Sequence, residues 1–157
     1  MSSMDCGFTN AEGQFRLRAC AIIIEDGCVL MAKNAKDDYY YSVGGAVKQN
    51  EPAKDAVVRE VLEETGIRYE VDRLVAVHEN FFTNSEGLPF HEVSFYFLMK
   101  AKGKQMPTTT GCTSENIEEH VEWIPVKDYK DYNAYPKFFG DLILNNPQYP
   151  QHIVDVE

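Results

Sequence analysis

Most of the chain alternates apolar and polar positions, the period of half-buried strands, and only two stretches switch to helical spacing. "FRLRACAIIIEDGCVLMAKN" (15–34) reads as two strands around a turn at Glu25-Asp26-Gly27, because Asp-Gly favours tight hairpins. Three consecutive isoleucines, Ile22 to Ile24, predict a strand covered on both faces. "DDYYYSVGGAVKQN" (37–50) opens with strand-forming tyrosines and ends past a glycine pair. In residues 51–67, Ala53, Val57 and Val61 recur at helical spacing, so this segment is predicted as a helix with one buried stripe. Asn50 or Glu51 can cap its start, Pro52 suits its first turn, and Gly66 suits its stop.

Beyond the helix, 68–82 and 91–103 alternate as strands around the loop 83–89 and are expected to pair as a hairpin. Residues 104–116 form a polar stretch without a period. "HVEWIPVKD" (120–128) reads as a short strand ended by Pro125, with Trp123 in the core. A last helix is expected from about Pro136 to Asn145, and "QHIVDVE" can add a strand. Strands, a helix, more strands and a final helix point to a mixed α/β (α+β) domain. Residues 1–14 are small and polar and are expected to form a flexible N-terminus, leaving 15–157 as a single domain.

Charge narrows the function. The chain has 157 residues and a net charge of -10, which disfavours binding to a nucleic-acid backbone. A small phosphorylated ligand stays compatible, because divalent cations supply positive charge locally. Cys6, Cys20, Cys28 and Cys112 form no CxxC pair, and reduced thiols of a cytoplasmic protein are expected. The start shows no basic region followed by an apolar run, and no apolar run reaches membrane-span length, so neither a signal peptide nor a membrane partner is expected.

The charge is not evenly spread. Within "VVREVLEETGI" (57–67), Glu60, Glu63 and Glu64 crowd one helix face behind Arg59. Like charges at that spacing repel, so the cluster is costly unless something positive meets it. Hard divalent cations take oxygen ligands, and such an ion could bridge these carboxylates and the oxygens of a diphosphate.

Gly45 is followed after five residues by Glu51, and after seven more by Arg59-Glu60-Val61-Leu62-Glu63-Glu64-Thr65-Gly66-Ile67. This agrees at every defined position with the box G-x5-E-x7-R-E-U-x-E-E-x-G-U, U being aliphatic. On that box the chain resembles the Nudix family of MutT-like pyrophosphohydrolases. The resemblance implies a mixed β-sheet sandwiched between helices and a Mg2+- or Mn2+-dependent attack of water on a nucleoside diphosphate linked to a group X. It implies Glu60, Glu63 and Glu64 as metal ligands, joined by the Gly44 carbonyl. Arg59 would orient the glutamates, Glu51 would support the loop or a metal-bound water, and Gly45 and Gly66 would complete the motif. The general base would be a glutamate outside the box: Glu115, Glu118 or Glu119, with Glu118 or Glu119 preferred. A homodimer is a further family-based expectation.

One departure is Val43, where family members often carry a proline before the glycine pair. Outside the box, Arg16 and Arg18 face the same way on a strand and either contact substrate phosphates or form a solvated face. Tyr39 and Phe82 are the aromatic candidates for substrate contact, against a reading as core. His78 and His91 flank the 83–89 loop and read as surface residues, against a proton-transfer or phosphate role. Thr83 stands where a proline would favour ADP-ribose, and no tyrosine lies between Thr83 and Pro89 to favour diadenosine polyphosphates. Three alternatives accompany the reading: a house-cleaning hydrolase of non-standard nucleoside triphosphates, a non-catalytic nucleotide-binding or regulatory module, and an isomerase acting on a diphosphate without cleaving it.

Overall fold

The computed structural model describes residues 4–108, 111–112 and 116–157. Among the described residues eleven strands form one mixed sheet, with β11 (Gln151–Val156), β6 (Val71–Thr83), β7 (Pro89–Met99), β2 (Gly13–Ile22), β5 (Tyr40–Ala46), β4 (Cys28–Asn34), β9 (Glu118–Pro125) and β8 (Gly111–Cys112) side by side in that order. Short strands β1 (Gly7–Asn10), β3 (Ile24–Glu25) and β10 (Ala134–Tyr135) join β2, β4 and β5. The helices are α1 (Ala53–Thr65) and α2 (Phe139–Asn145), with a 3-10 helix at Val126–Asp131.

Period-two patterning divides the core in two. Ala19, Ala21 and Ile23 of the β2 region point to one face with Leu30 and Ala32 of β4, where Ala56, Val57 and Val61 of α1 cover them. Their neighbours Cys20, Ile22, Val29 and Met31 point to the other face, under Tyr129, Phe139 and Leu142. The expected sheet between helices is therefore observed, and Ile22 and Ile23 are each buried on opposite sides. The Asp26-Gly27 hairpin forms with φ 52° and 73°, both left-handed, and pairs Glu25 with Cys28.

The residues before 15 depart from expectation. Strand β1 pairs antiparallel with β2, Gly7 opposite Arg16 and Asn10 opposite Gly13, so residues 7–10 and 13–14 belong to the sheet, joined by a turn at 11–12, rather than to a flexible terminus. The local cause is the turn chemistry of Asn10, whose side chain accepts the Glu12 N–H at 2.9 Å. Helix α1 also starts differently. Asn50 adopts φ 69° as a turn residue, and Glu51 points at Lys48 and Arg59, so the cap position falls to Pro52 without a side-chain bond. Gly66 closes the helix at φ 76° and donates to Leu62 O, as its position predicts. The last helix begins at Phe139 rather than near Pro136, because Tyr135 is drawn into β10 beside Tyr41.

Candidate active site

Burial of Val57 and Val61 against the sheet turns the acidic face of α1 toward the Gly44–Gly45 segment of β5. The backbone there is packed too closely for any side chain. A Cβ on Gly45 would lie 2.5 Å from the Glu60 carboxyl carbon, and one on Gly44 would lie 2.4 Å from Ala19 O. Gly44 also donates its N–H to Glu64 Oε2 at 3.3 Å. The glycine pair is what lets two helix carboxylates reach the strand.

Arg59 ties this face together. Its Nε and Nη2 each meet the Glu51 carboxylate at 2.9 Å, a fork-to-fork pairing. Its Nη1 donates to Glu60 Oε1 at 2.8 Å and reaches Glu63 at 3.4 Å, and Nη2 also donates to Ala46 O at 3.1 Å. Glu51 in turn accepts the Lys48 N–H at 3.1 Å, which places it on the loop. Its carboxyl is held below the usual range chiefly by Arg59.

Glu64 has no such partner. Burial pushes its carboxyl well above the ordinary range, and the neighbouring Glu119 and Glu60 push it further against Arg18 and the Gly44 N–H. Burial likewise raises Glu60, opposed by Arg59. The structure separates the two preferred general-base candidates. Glu119 is buried, accepts the Tyr41 hydroxyl and lies within electrostatic reach of Glu64, whereas Glu118 is exposed on the strand's opposite face. Glu115 lies outside the described residues. Among the described residues no three acidic, His or Cys side chains already stand at metal-ligand spacing, since Arg59 holds Glu60 and Glu63. The donor set of hard carboxylate oxygens, mutually repelling and partly desolvated, nevertheless has the chemistry a magnesium or manganese ion requires.

A cavity of about 630 Å³ is lined by Arg16, Arg18, Tyr39 and Phe82, and by Tyr41; of these, Arg18 and Tyr41 lie within electrostatic reach of Glu64. Tyr39 stacks edge-on against Tyr135, and Phe82 lies parallel to Phe90 at 4.9 Å. The two arginines do not form a solvated face. Both converge on Glu92 of the neighbouring β7, Arg16 through its Nε at 2.9 Å and Arg18 at 3.8 Å. Burial alone would raise the Glu92 carboxyl, but Arg18 and Arg16 together hold it below its usual range. Glu92→Gln is expected to cost about 2 kcal/mol in urea denaturation, because Arg18 then stays buried without a counter-charge. Equal midpoints would show that the arginines find other partners.

His78 corrects the reading as a surface residue. It is 4% exposed, packed between Tyr96 and Phe138, and bonded through Nε2 to Asp155 at 2.8 Å. His91 is half-buried against Phe81 and Phe15, and Trp123 packs at the edge of the core. Glu92, Tyr41 and Asp155 are site residues that sequence reasoning missed. Their partners are set by strand register, for which the sequence carries no local signal.

Comparison with known proteins agrees with the box. The NUDIX domain family matches residues 14–142. A MutT-like protein of Streptomyces ambofaciens is 40% identical over 106 residues, which cover 68% of this chain. The chain spans 60% of the length of that curated relative. The crystal structure of the MutT NUDIX hydrolase from Burkholderia pseudomallei superposes with a TM-score of 0.55 at 27% identity, over 73% of this chain and 85% of that one. The MutT protein from Methanosarcina mazei shares the fold, with a TM-score of 0.64 at 18% identity over 87% of this chain and 95% of that one. With the family match spanning most of its length and the glutamates of the box brought together on α1 beside the glycine pair, this chain belongs to the NUDIX family.

Proposed function

We propose that the chain is a metal-dependent pyrophosphohydrolase acting on a nucleoside diphosphate linked to a group X. The observation that supports this best is the acidic face of α1 held against a side-chain-free glycine pair, in a protein that also carries an arginine-bearing cavity of about 630 Å³. Glu60, Glu64 and Glu63, with the Gly44 carbonyl, would hold magnesium or manganese. When bound, the cation neutralises charge on the phosphoanhydride oxygens and lowers the pKa of water.

The protein's own groups divide the remaining work. Arg59 and Glu51 fix the rotamer of Glu60 and the path of the loop. Arg18 and Arg16, already oriented by Glu92, offer cationic edges to the phosphates on the cavity side. Glu119, oriented by the Tyr41 hydroxyl, accepts the proton of the attacking water. The water oxygen bonds to phosphorus as the P–O bond to the leaving phosphate breaks, giving a nucleotide and phosphorylated X. The acidic net charge and this cavity suit a small nucleotide rather than a nucleic acid. Activity in the cytoplasm and a homodimeric state belong to the same reading.

Incubation with magnesium or manganese and a panel of nucleotide sugars, ADP-ribose, dinucleotides and oxidised triphosphates is expected to yield products cleaved at a phosphoanhydride bond, identified by mass. Chelator should abolish the cleavage. Nucleotide binding without cleavage at any metal concentration would replace the hydrolase with a binding module.

A further inference from the structure

Strand β11 lies outside the family-matched residues 14–142, yet it forms one wall of the cavity. It runs parallel to β6, with Ile153 opposite His78 and Asp155 opposite Asn80. Side chains two apart share a face of the sheet, so His78, Asn80 and Phe82 of β6 stand beside Asp155, with Glu157 next in the same row. All of these line the cavity.

The core does not explain this strand. Of its six residues only Ile153 is even partly buried, against the cluster beneath α2. What anchors β11 is its backbone ladder, the His78–Asp155 contact and a second pair, His152 to Glu79 at 2.6 Å. His78 is buried and holds one oxygen of Asp155, while the Asp155 side chain stays 61% exposed. A buried imidazole thus aims an open carboxylate along the cavity wall.

Position fixes which part of a substrate this carboxylate can meet. From β5, where the glycine pair faces Glu64, the sheet runs through β2, β7 and β6 to β11. Four strand intervals of about 4.8 Å place β11 roughly 19 Å from the glycine pair. Arg16 and Arg18 lie on β2, between the two. The middle of the cavity holds two arginines about one carboxylate, Glu92, and Asp155 and Glu157 stand at its far wall, with Asp37 and Lys137 also among its lining residues. Carboxylate oxygens at that wall are hydrogen-bond acceptors, so groups carrying hydrogen-bond donors suit it better than phosphates do.

We infer that β11 is a specificity element, in which Asp155, positioned by His78, accepts hydrogen bonds from hydroxyl or N–H donors on the substrate group farthest from the phosphates. The inference rests on the pyrophosphohydrolase reading of the same site. The shared chemistry is a donor-bearing group, whether the hydroxyls of a sugar or the N–H edge of a base.

Calorimetric titration with magnesium and hydrolysis-resistant P–C–P analogues separates these sources. One analogue carries a hexose, a second is a purine nucleoside triphosphate, and bare methylenebisphosphonate has no distal group. Asp155→Asn is expected to weaken binding of at least one of the first two by about tenfold, the scale of a hydrogen bond to a charged group. Methylenebisphosphonate should bind wild type and variant within about twofold. His152→Ala, which removes the other anchor of β11 without touching the cavity, should bind like wild type. Loss on the hexose analogue alone assigns the wall to hydroxyls, and loss on the triphosphate alone assigns it to a base. Unchanged binding of both, failure of wild type to bind either, or an equal loss in His152→Ala would overturn the inference. Tight wild-type binding of an analogue whose natural counterpart is never cleaved would sink the hydrolase reading and leave the β11 assignment standing.

Discussion

Glu64→Gln is expected to lower kcat by about 10²–10³-fold, the effect of removing one preorganised electrostatic group from an active site. The same variant is expected to melt at a higher temperature than wild type when both are kept in chelator at neutral pH. Activity and stability should move in opposite directions because Glu64 is held where a carboxylate is unwelcome. Burial, then Glu119 and Glu60, raise its folded-state pKa. A carboxyl with a raised folded pKa binds protons more tightly in the folded chain, so ionising it costs stability. That cost is absent below the unfolded pKa and grows as pH rises above it. The gain in Glu64→Gln should therefore vanish as the pH is lowered through the ordinary carboxylate range, about 4.3 for an unfolded glutamate. A variant that loses activity and also melts lower in chelator would mark Glu64 as a structural hydrogen-bonding residue. The opposed pair of outcomes marks a group whose position is costly to the empty protein and useful to the loaded one.

The contrast between Glu64 and its partners also shows which parts of this site are legible in a sequence. Helix α1 could be read because its signals are local: Ala53, Val57 and Val61 at helical spacing, Gly66 at the stop, and three glutamates on one face. The hairpin at Asp26-Gly27 was readable for the same reason. The choice between Glu118 and Glu119 was not. Adjacent residues of a strand face opposite sides, and only the pairing of Glu119 with Asn34 of β4 decides which faces Glu64. Arg16 and Arg18 could be placed on one strand, but Glu92 reaches them through a parallel pairing of β2 with β7 across some seventy residues of chain. His78 looked like a surface residue because Asp155 and Phe138, which cover it, arrive from the far end of the sequence. Residues 7–14 looked frayed because their apolar content is low, yet a short strand needs only a backbone partner, and residues 13–16 at the start of β2, beyond the reach of β5, supply one. Except for that local hairpin of β1 and β2, the missing information is long-range register, which pairings distant in sequence take from the fold as a whole.

Arg59 carries the second large expectation, because it supplies positive charge to a cluster that otherwise has little. Its guanidinium grips Glu51 with two bonds and Glu60 with a third, and approaches Glu63. Arg59→Met keeps the volume and removes the charge. Glu51, Glu60 and Glu63 then face one another without the guanidinium that bonds them, leaving only the weaker influence of Lys48 on Glu51 and Arg18 on Glu60, and the Ala46 carbonyl loses its donor. In chelator the variant is expected to lose about 2–3 kcal/mol in urea denaturation, less than a fully buried pair would, since these groups keep some contact with solvent. Its kcat should fall about 10–100-fold, the usual effect of removing a group that orients a metal-ligating side chain. The decisive test is the response to metal. If the carboxylate cluster is a cation site, magnesium or manganese replaces part of the missing positive charge. A ligand that binds only the folded state stabilises it in proportion to RT ln(1 + [L]/Kd). Crowded carboxylates with no arginine to share should bind the cation more tightly, so saturating metal should raise the Tm of Arg59→Met by more than it raises that of wild type. Arg59→Lys is expected to fall between them, because a single ammonium keeps the charge but cannot span Glu51 and Glu60 together. Identical metal-induced shifts in wild type and Arg59→Met would mean that the ion binds away from this helix face, and the assignment of Glu60, Glu63 and Glu64 as its ligands would fail.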